Sequence, residues 1–369
     1  AKTSENVVKL LTDVWHPAKV RAEKDASILA KMMCEDGIDD DLEKWDWLYY
    51  SEKRRKAELE LDETIVKPFF QLEQMINAAF DCSTRLFGLE FKEIHVPLYH
   101  PDCRAWEVTR QEKHVALFIG DYFARGSKRS GAWCSAMRSQ AKFPREKSPI
   151  VINVCNFAKG DPTLLSYDEA RTLFHEFGHA LHQMLSEVTY EMISGTSVPR
   201  DFVELPSQLY EHWLEVPKVL EKFATHIDTG EAMPPALIDK VLESANFDMG
   251  FQTVEYLASA MVDMDYHTRD VPIDIIARQD EILKAMGMPN AIGMRHATTQ
   301  FGHIFSSDSY ASGYYSYMWS EVMDTDAFAA FQEKGDAFDF ELAKSLEENI
   351  LSKGGSEEPE ALYKAYRGR

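Results

Sequence analysis

Two histidines four residues apart, His175 and His179 in the segment FHEFGHALH, are the side chains of this sequence best suited to chemistry. On a helix that spacing places both imidazoles on one face, where they can reach a single metal ion. Glu176 is turned by about 100° from His175, so it flanks the ion instead of binding it. The pattern is HExxH, whose mechanics are two imidazole ligands to zinc and a carboxylate acting as general base on a zinc-activated water. A catalytic zinc also needs a third protein ligand and one open position. His182 shares the helix face, but its Cα lies about 10 Å along the axis from that of His175, which suits a packed or hydrogen-bonded histidine better than a shared ion. A metzincin would carry Gly at 182 and His at 185; here the residues are His182 and Leu185, which excludes that class. A glutamate from a second helix is the remaining solution. Glu204, in DFVELPSQLYEHW, lies 204 − 179 = 25 residues past the second histidine, enough for a turn and an antiparallel return. Glu211 is the next alternative on the same face. Asp201 and Gln208 are candidates for orienting the imidazoles, and Asp201 equally suits a helix cap.

The elements that must position these residues can be read around them. Ser166 and Glu169 form a capping box, so the helix bearing His175 and His179 starts there. The first ninety residues read as helices, with Phe69, Leu72, Ile76, Phe80 and Phe87 recurring at helical spacing after Pro68. Helical periodicity at the very start predicts that the chain opens in mid-helix, with a segment upstream. Between about 93 and 157 the pattern changes to five short β-like runs, Ile94–Tyr99, Ala105–Thr109, Val115–Phe123, Ala132–Met137 and Ile150–Cys155. From Ser166 the helices resume nearly to the end. The expectation is a mainly α fold with a small β-sheet, a single catalytic domain over 1–369 with a helical part (1–90), a sheet (91–157) and a helical zinc-binding part (158–369). A second polar cluster, HIFSSDSYASGYYSY, carries His303, Tyr310, Tyr314 and Tyr317. The tyrosines fall at i, i+4 and i+7, one helical face, which fits either an aromatic packing stripe or donors to an oxyanion beside a zinc.

Composition narrows the function classes. Of 369 residues, 40 are basic and 61 acidic, a net charge of −21. Such a chain repels phosphate backbones and anionic bilayers, so neither nucleic acid nor a membrane surface is an expected partner. No uncharged run reaches the ~18 residues of a membrane helix. The five cysteines, Cys34, Cys82, Cys103, Cys134 and Cys155, are scattered and form no CxxC pair. That argues against a disulfide framework and for a reducing, cytoplasmic compartment.

Several segments together resemble a known family. FHEFGHALH, SGTSVPRDFVELPSQLYEHW and GYYSYMWSEVMDTDAFAAF are similar to the zinc metallopeptidases that include thimet oligopeptidase and oligopeptidase A. WDWLYYSEKRRKAEL, LYHPDCRAWEV, GDYFARGSKRSGAW and INVCNFAKG resemble its bacterial peptidyl-dipeptidase branch, Dcp. The resemblance implies a zincin-type fold, one Zn2+ per chain held by His175, His179 and Glu204, and Glu176 as general base. It further implies His303, Tyr310 and Tyr317 as groups that stabilise the tetrahedral intermediate, with Tyr314 in support. One departure is Ser306, Ser307, Asp308 and Ser309, where relatives carry a Gly-Gly-Tyr step. The implied substrates are short peptides losing C-terminal dipeptides, with an endo-acting oligopeptidase as the alternative within the family. A non-catalytic, zinc-stabilised peptide-binding module is the alternative from another class. The resemblance covers the C-terminal, catalytic half of longer members, which implies an N-terminal half, or another chain, completing the cleft.

Overall fold

The computed structural model of the chain describes residues 1–270 and 274–369. By internal contacts the chain divides into two compact units, one made of Ala1–Asp62 and Asp239–Trp319, the other of Glu63–Ile238 and Ser320–Arg369. No linker marks their borders. Two of the crossings, 238/239 and 319/320, fall inside helices, Pro235–Ser244 and Ser316–Lys334. Among the described residues, no helix is long and apolar enough to cross a membrane.

The first unit is helical. Helix α1 (Ser4–Glu35) buries Val7, Leu11, Trp15, Ala22, Leu29 and Met33, residues that line one stripe. Thr3 is its N-cap, with extended backbone and a side chain that accepts from the Asn6 amide. Helix α2 (Trp47–Leu59) is fixed at its start by Trp47 Nε1 and Ser51 Oγ, which both donate to Asp248 at 2.9 and 2.7 Å.

The second unit holds helix α3 (Leu72–Phe87), ended by Gly88 in the left-handed region (φ +67°), and a five-stranded sheet. The strands are β1 (Glu90–Ile94), β2 (Arg104–Arg110), β3 (Lys113–Phe123), β4 (Trp133–Arg138) and β5 (Ile150–Phe157), in the order β1-β2-β3-β5-β4. β3 and β5 are parallel and the other neighbours antiparallel, which leaves β4 on an edge. The first strand is shifted from its expected place at Ile94–Tyr99. Pro97 in that apolar run has no N–H for the ladder, whereas the polar stretch Glu90–Glu93 pairs with Thr109–Trp106. On one face of the sheet Phe118 packs edge-on to Phe177 of helix α4 (Tyr167–Met184) at 5.2 Å. The other face carries Ala105, Ile119, Ile152 and Val154. Helix α5 (Leu205–Leu214) lies against α4, and Tyr210 ties it to α3 by donating to the Ala79 carbonyl at 2.7 Å. Further along the chain, back in the first unit, helix α6 (Met249–His267) packs on α1 so closely that a Cβ on Gly250 would stand 2.7 Å from the Ala22 nitrogen. Helix α7 (Ser316–Lys334) follows the tyrosine-rich segment.

Candidate metal centre

The capping box is present as read: Ser166 Oγ accepts from the Glu169 amide, and Glu169 Oε2 accepts from the Ser166 amide. The next two turns of α4 carry His175 and His179. What brings the third group to them is a glycine. A Cβ at Gly178 would lie 2.6 Å from the Pro206 carbonyl oxygen and 2.7 Å from the Ser207 Cα, so only glycine lets α4 and α5 touch backbone to backbone. The expected single helix over Asp201–Trp213 is broken there into a short helix, Arg200–Val203, and α5. Glu204 is the residue at the break, capping both pieces, with Pro206 in the first turn of the second.

The outcome is a compact donor set. His175 Nε2 and His179 Nε2 stand 3.3 and 3.1 Å from Glu204 Oε2, and one ligand atom from each residue lies within 4.8 Å of the others. Glu204 is 1% exposed, and Ser207 Oγ donates to its Oε2 at 3.1 Å. Against the cost of burial, the two imidazoles hold the Glu204 carboxyl well below its ordinary range. His175 is likewise held above its usual range by Glu204 and Glu211, although burial opposes it. A carboxylate facing two converging imidazoles calls for positive charge at their focus, and two nitrogens with one oxygen are the donors of a catalytic zinc. The residues therefore fit a metal ion.

Glu211 is not placed with that set. Its Oε1 accepts from His175 Nδ1 at 2.6 Å, and its Oε2 accepts from Arg171 Nε at 2.5 Å. This is the carboxylate–histidine pairing that fixes the tautomer and aim of a metal-bound imidazole. The orienting group is thus Glu211, one turn beyond Gln208, whose Oε1 is buried without a hydrogen-bond partner. Asp201 sits inside the first turn of its short helix, and Pro199 takes the N-cap position. Arg171, Ser207 and Gly178 were not singled out by sequence reasoning. Arg171 is four residues before His175 on the same helical face, a spacing that would have pointed to it.

Glu176 lies beside the triad, 5% exposed, with Oε2 free of hydrogen-bond partners. Burial pushes its carboxyl up, while His175 and His179 pull it down. His182 is fully buried, and burial pushes its imidazole down to about 3, so it stays neutral as a packed histidine.

The tyrosine cluster belongs to the first unit, and the helical-face reading fails there. Tyr310 ends a 3-10 turn (Asp308–Tyr310), Tyr314 lies in a turn, and only Tyr317 is in α7. Ser312 has φ +57°, which no helix allows. The rings nevertheless meet. Tyr310 and Tyr317 stack with centroids 5.9 Å apart and planes 1° from parallel. His303 Nε2 lies 2.8 Å from Tyr317 Oη.

Comparison with known proteins gives the relatives of the chain. The chain is 36% identical over 380 residues to the dipeptidyl carboxypeptidase of Escherichia coli, covering 100% of this chain and 55% of that protein. It is also 36% identical over 385 residues to oligopeptidase A of Escherichia coli, covering 100% of this chain and 56% of that one. A probable cytosolic oligopeptidase A of Arabidopsis thaliana is 32% identical over 389 residues, again with 100% of this chain and 55% of the relative. The chain thus spans about half the length of the curated relatives it matches. Among solved structures, a metallocarboxypeptidase of Trypanosoma cruzi matches with a TM-score of 0.48 at 12% identity, over 99% of this chain and 73% of that one, a likeness too loose to add to these. The model of peptidase family M3 matches residues 1–369, and the chain belongs to that family.

Proposed function

We propose that the chain is the catalytic part of a zinc-dependent peptidase that acts on short peptides and releases C-terminal dipeptides. The observation that carries this reading is the convergence of His175, His179 and Glu204, with the buried carboxylate of Glu176 beside them. When bound by those three residues, zinc supplies Lewis acidity and brings the pKa of a water toward about 7. Glu176 takes the proton of the attacking water and passes it to the leaving amine. A carboxyl raised by burial holds the proton it takes more firmly than an exposed carboxylate would, which suits it to carry that proton between the two steps. Glu211 keeps His175 aimed through its Nδ1. Tyr310, Tyr317 and His303 are the hydroxyl and imidazole donors for the developing oxyanion. The edge strand β4 offers unpaired backbone groups with which an extended peptide would align. The five free thiols favour a reducing, cytoplasmic setting.

The second reading, an endo-acting oligopeptidase, is favoured by the equal 36% identity to oligopeptidase A. One experiment addresses both: matched peptides with a free or an amidated C-terminus, read by mass spectrometry, with Glu176→Gln as control. A dipeptide-releasing enzyme loses roughly 10–150-fold in kcat/KM on amidation, the worth of one charged hydrogen bond. Equal cleavage of both at internal bonds supports the oligopeptidase. Glu176→Gln should keep its metal while losing about 10²–10⁴-fold in kcat. Loss of metal from a folded variant would overturn the role of Glu176.

A further inference from the structure

The segment between Phe305 and α7 carries Tyr310 and Tyr314 with one 3-10 turn as its regular structure, and two side chains of α6 hold it. Asp263, fully buried, accepts from the Ser312 amide at 2.9 Å and from His267 Nδ1 at 2.7 Å through Oδ1. Its Oδ2 accepts from the Tyr314 amide at 2.9 Å. Tyr256, seven residues earlier on the same face of α6, donates its hydroxyl to the Tyr314 carbonyl at 2.6 Å. The Tyr256 hydroxyl oxygen in turn accepts from the Met318 amide in the first turn of α7 at 3.2 Å. These contacts fix the backbone on both sides of Tyr314, including the left-handed Ser312, a conformation that persists only where its surroundings enforce it. α6 is itself a firm base, since Gly250 seats it against the backbone of α1.

We propose that Asp263 is a positioning residue for the reaction: with Tyr256 it latches the 310–317 segment so that the Tyr310 and Tyr317 rings stay stacked and present their hydroxyls together. The catalytic part of this inference rests on the peptidase reading above; the latch does not.

The test is Asp263→Asn in the full chain, which keeps the side-chain shape but replaces one acceptor oxygen by a donor. Amide hydrogen exchange at Ser312 and Tyr314 should accelerate by about tenfold or more, the scale of one lost buried hydrogen bond. kcat on a fluorogenic peptide should fall by about tenfold, with KM within about twofold and metal content unchanged. Placed on Tyr310→Phe/Tyr317→Phe, Asp263→Asn should cost nothing further, because it acts through those hydroxyls. Unchanged exchange overturns the latch, and so does fast exchange with unchanged kcat, or a loss that multiplies with the tyrosine changes. Should Asp263→Asn not fold, Tyr256→Phe removes only a hydroxyl and must show the same pattern at smaller size. Full turnover by Tyr310→Phe/Tyr317→Phe alone would sink the tyrosines' role in the peptidase reading, whereas the exchange rates judge the latch independently of it.

Discussion

The metal triad and the tyrosine cluster are built in opposite ways. His175 and His179 stand on consecutive turns of one capped helix, and Glu204 is delivered by a helix pressed directly onto it. Their geometry follows from regular backbone and a glycine contact. Tyr310, Tyr314 and Tyr317 come from a 3-10 turn, a turn and a helix start, and the backbone among them, at Ser312, Tyr314 and Met318, is hydrogen-bonded to side chains of α6, some fifty residues earlier in the chain. A group that must hold an ion at fixed distances is placed on stiff elements, where angular error is small. The tyrosines, on irregular chain, owe their placement to side-chain contacts with α6 instead of to a backbone repeat.

That contrast can be broken by experiment. The largest effect belongs to Glu204→Ala, which leaves two imidazoles: metal should be lost on dialysis and peptide hydrolysis should fall to background. Metal analysis by mass spectrometry checks it, and full metal content would dissolve the distinction between the two regions. Next, Tyr310→Phe and Tyr317→Phe should each keep metal and thermal stability while kcat falls by about 10²–10³-fold, the worth of one oxyanion donor. Unchanged turnover in both would return the cluster to packing alone. The smallest effect sharpens the comparison on the stiff side. Glu211→Gln should weaken metal binding by about 10–100-fold, as loss of an orienting partner usually does. A competition titration with a chromophoric chelator measures it; no change would mean that α4 alone aims His175.

The same contrast explains what the sequence discloses. The triad's helix was legible because its signals are local: a capping box spanning four residues, Ser166 to Glu169, and two histidines four apart. Glu204 was legible only as one of two acidic candidates, since choosing between it and Glu211 requires knowing where the helix breaks. Pro206 hints at that break, but Gly178 decides it, through a contact that pattern reading does not see. The tyrosine spacing of i, i+4, i+7 misled because hydrogen bonds from Asp263 and Tyr256 overrode helical continuation. The first strand was misplaced because hydrophobicity pointed to Ile94–Tyr99, while hydrogen-bonding capacity favoured Glu90–Ile94. Strands β2 to β5 have apolar cores bounded by turn residues and fall where expected. Two of the three borders between the units were invisible because they run through helices.

The backbone contact at Gly178 also bears on the thermodynamics of metal uptake. In a small zinc-stapled domain, folding and ion binding are one event, and the ion's affinity is the fold's stability. Here α4 and α5 are joined by packing between Phe177, Tyr210 and their neighbours and by the tie from Tyr210 to α3. The backbone that carries the ligands is thus joined by packing and hydrogen bonds of its own, apart from the ligand side chains. A metal bound there adds RT ln(1 + [M]/Kd) to the stability of the unit, as any ligand of a native state does.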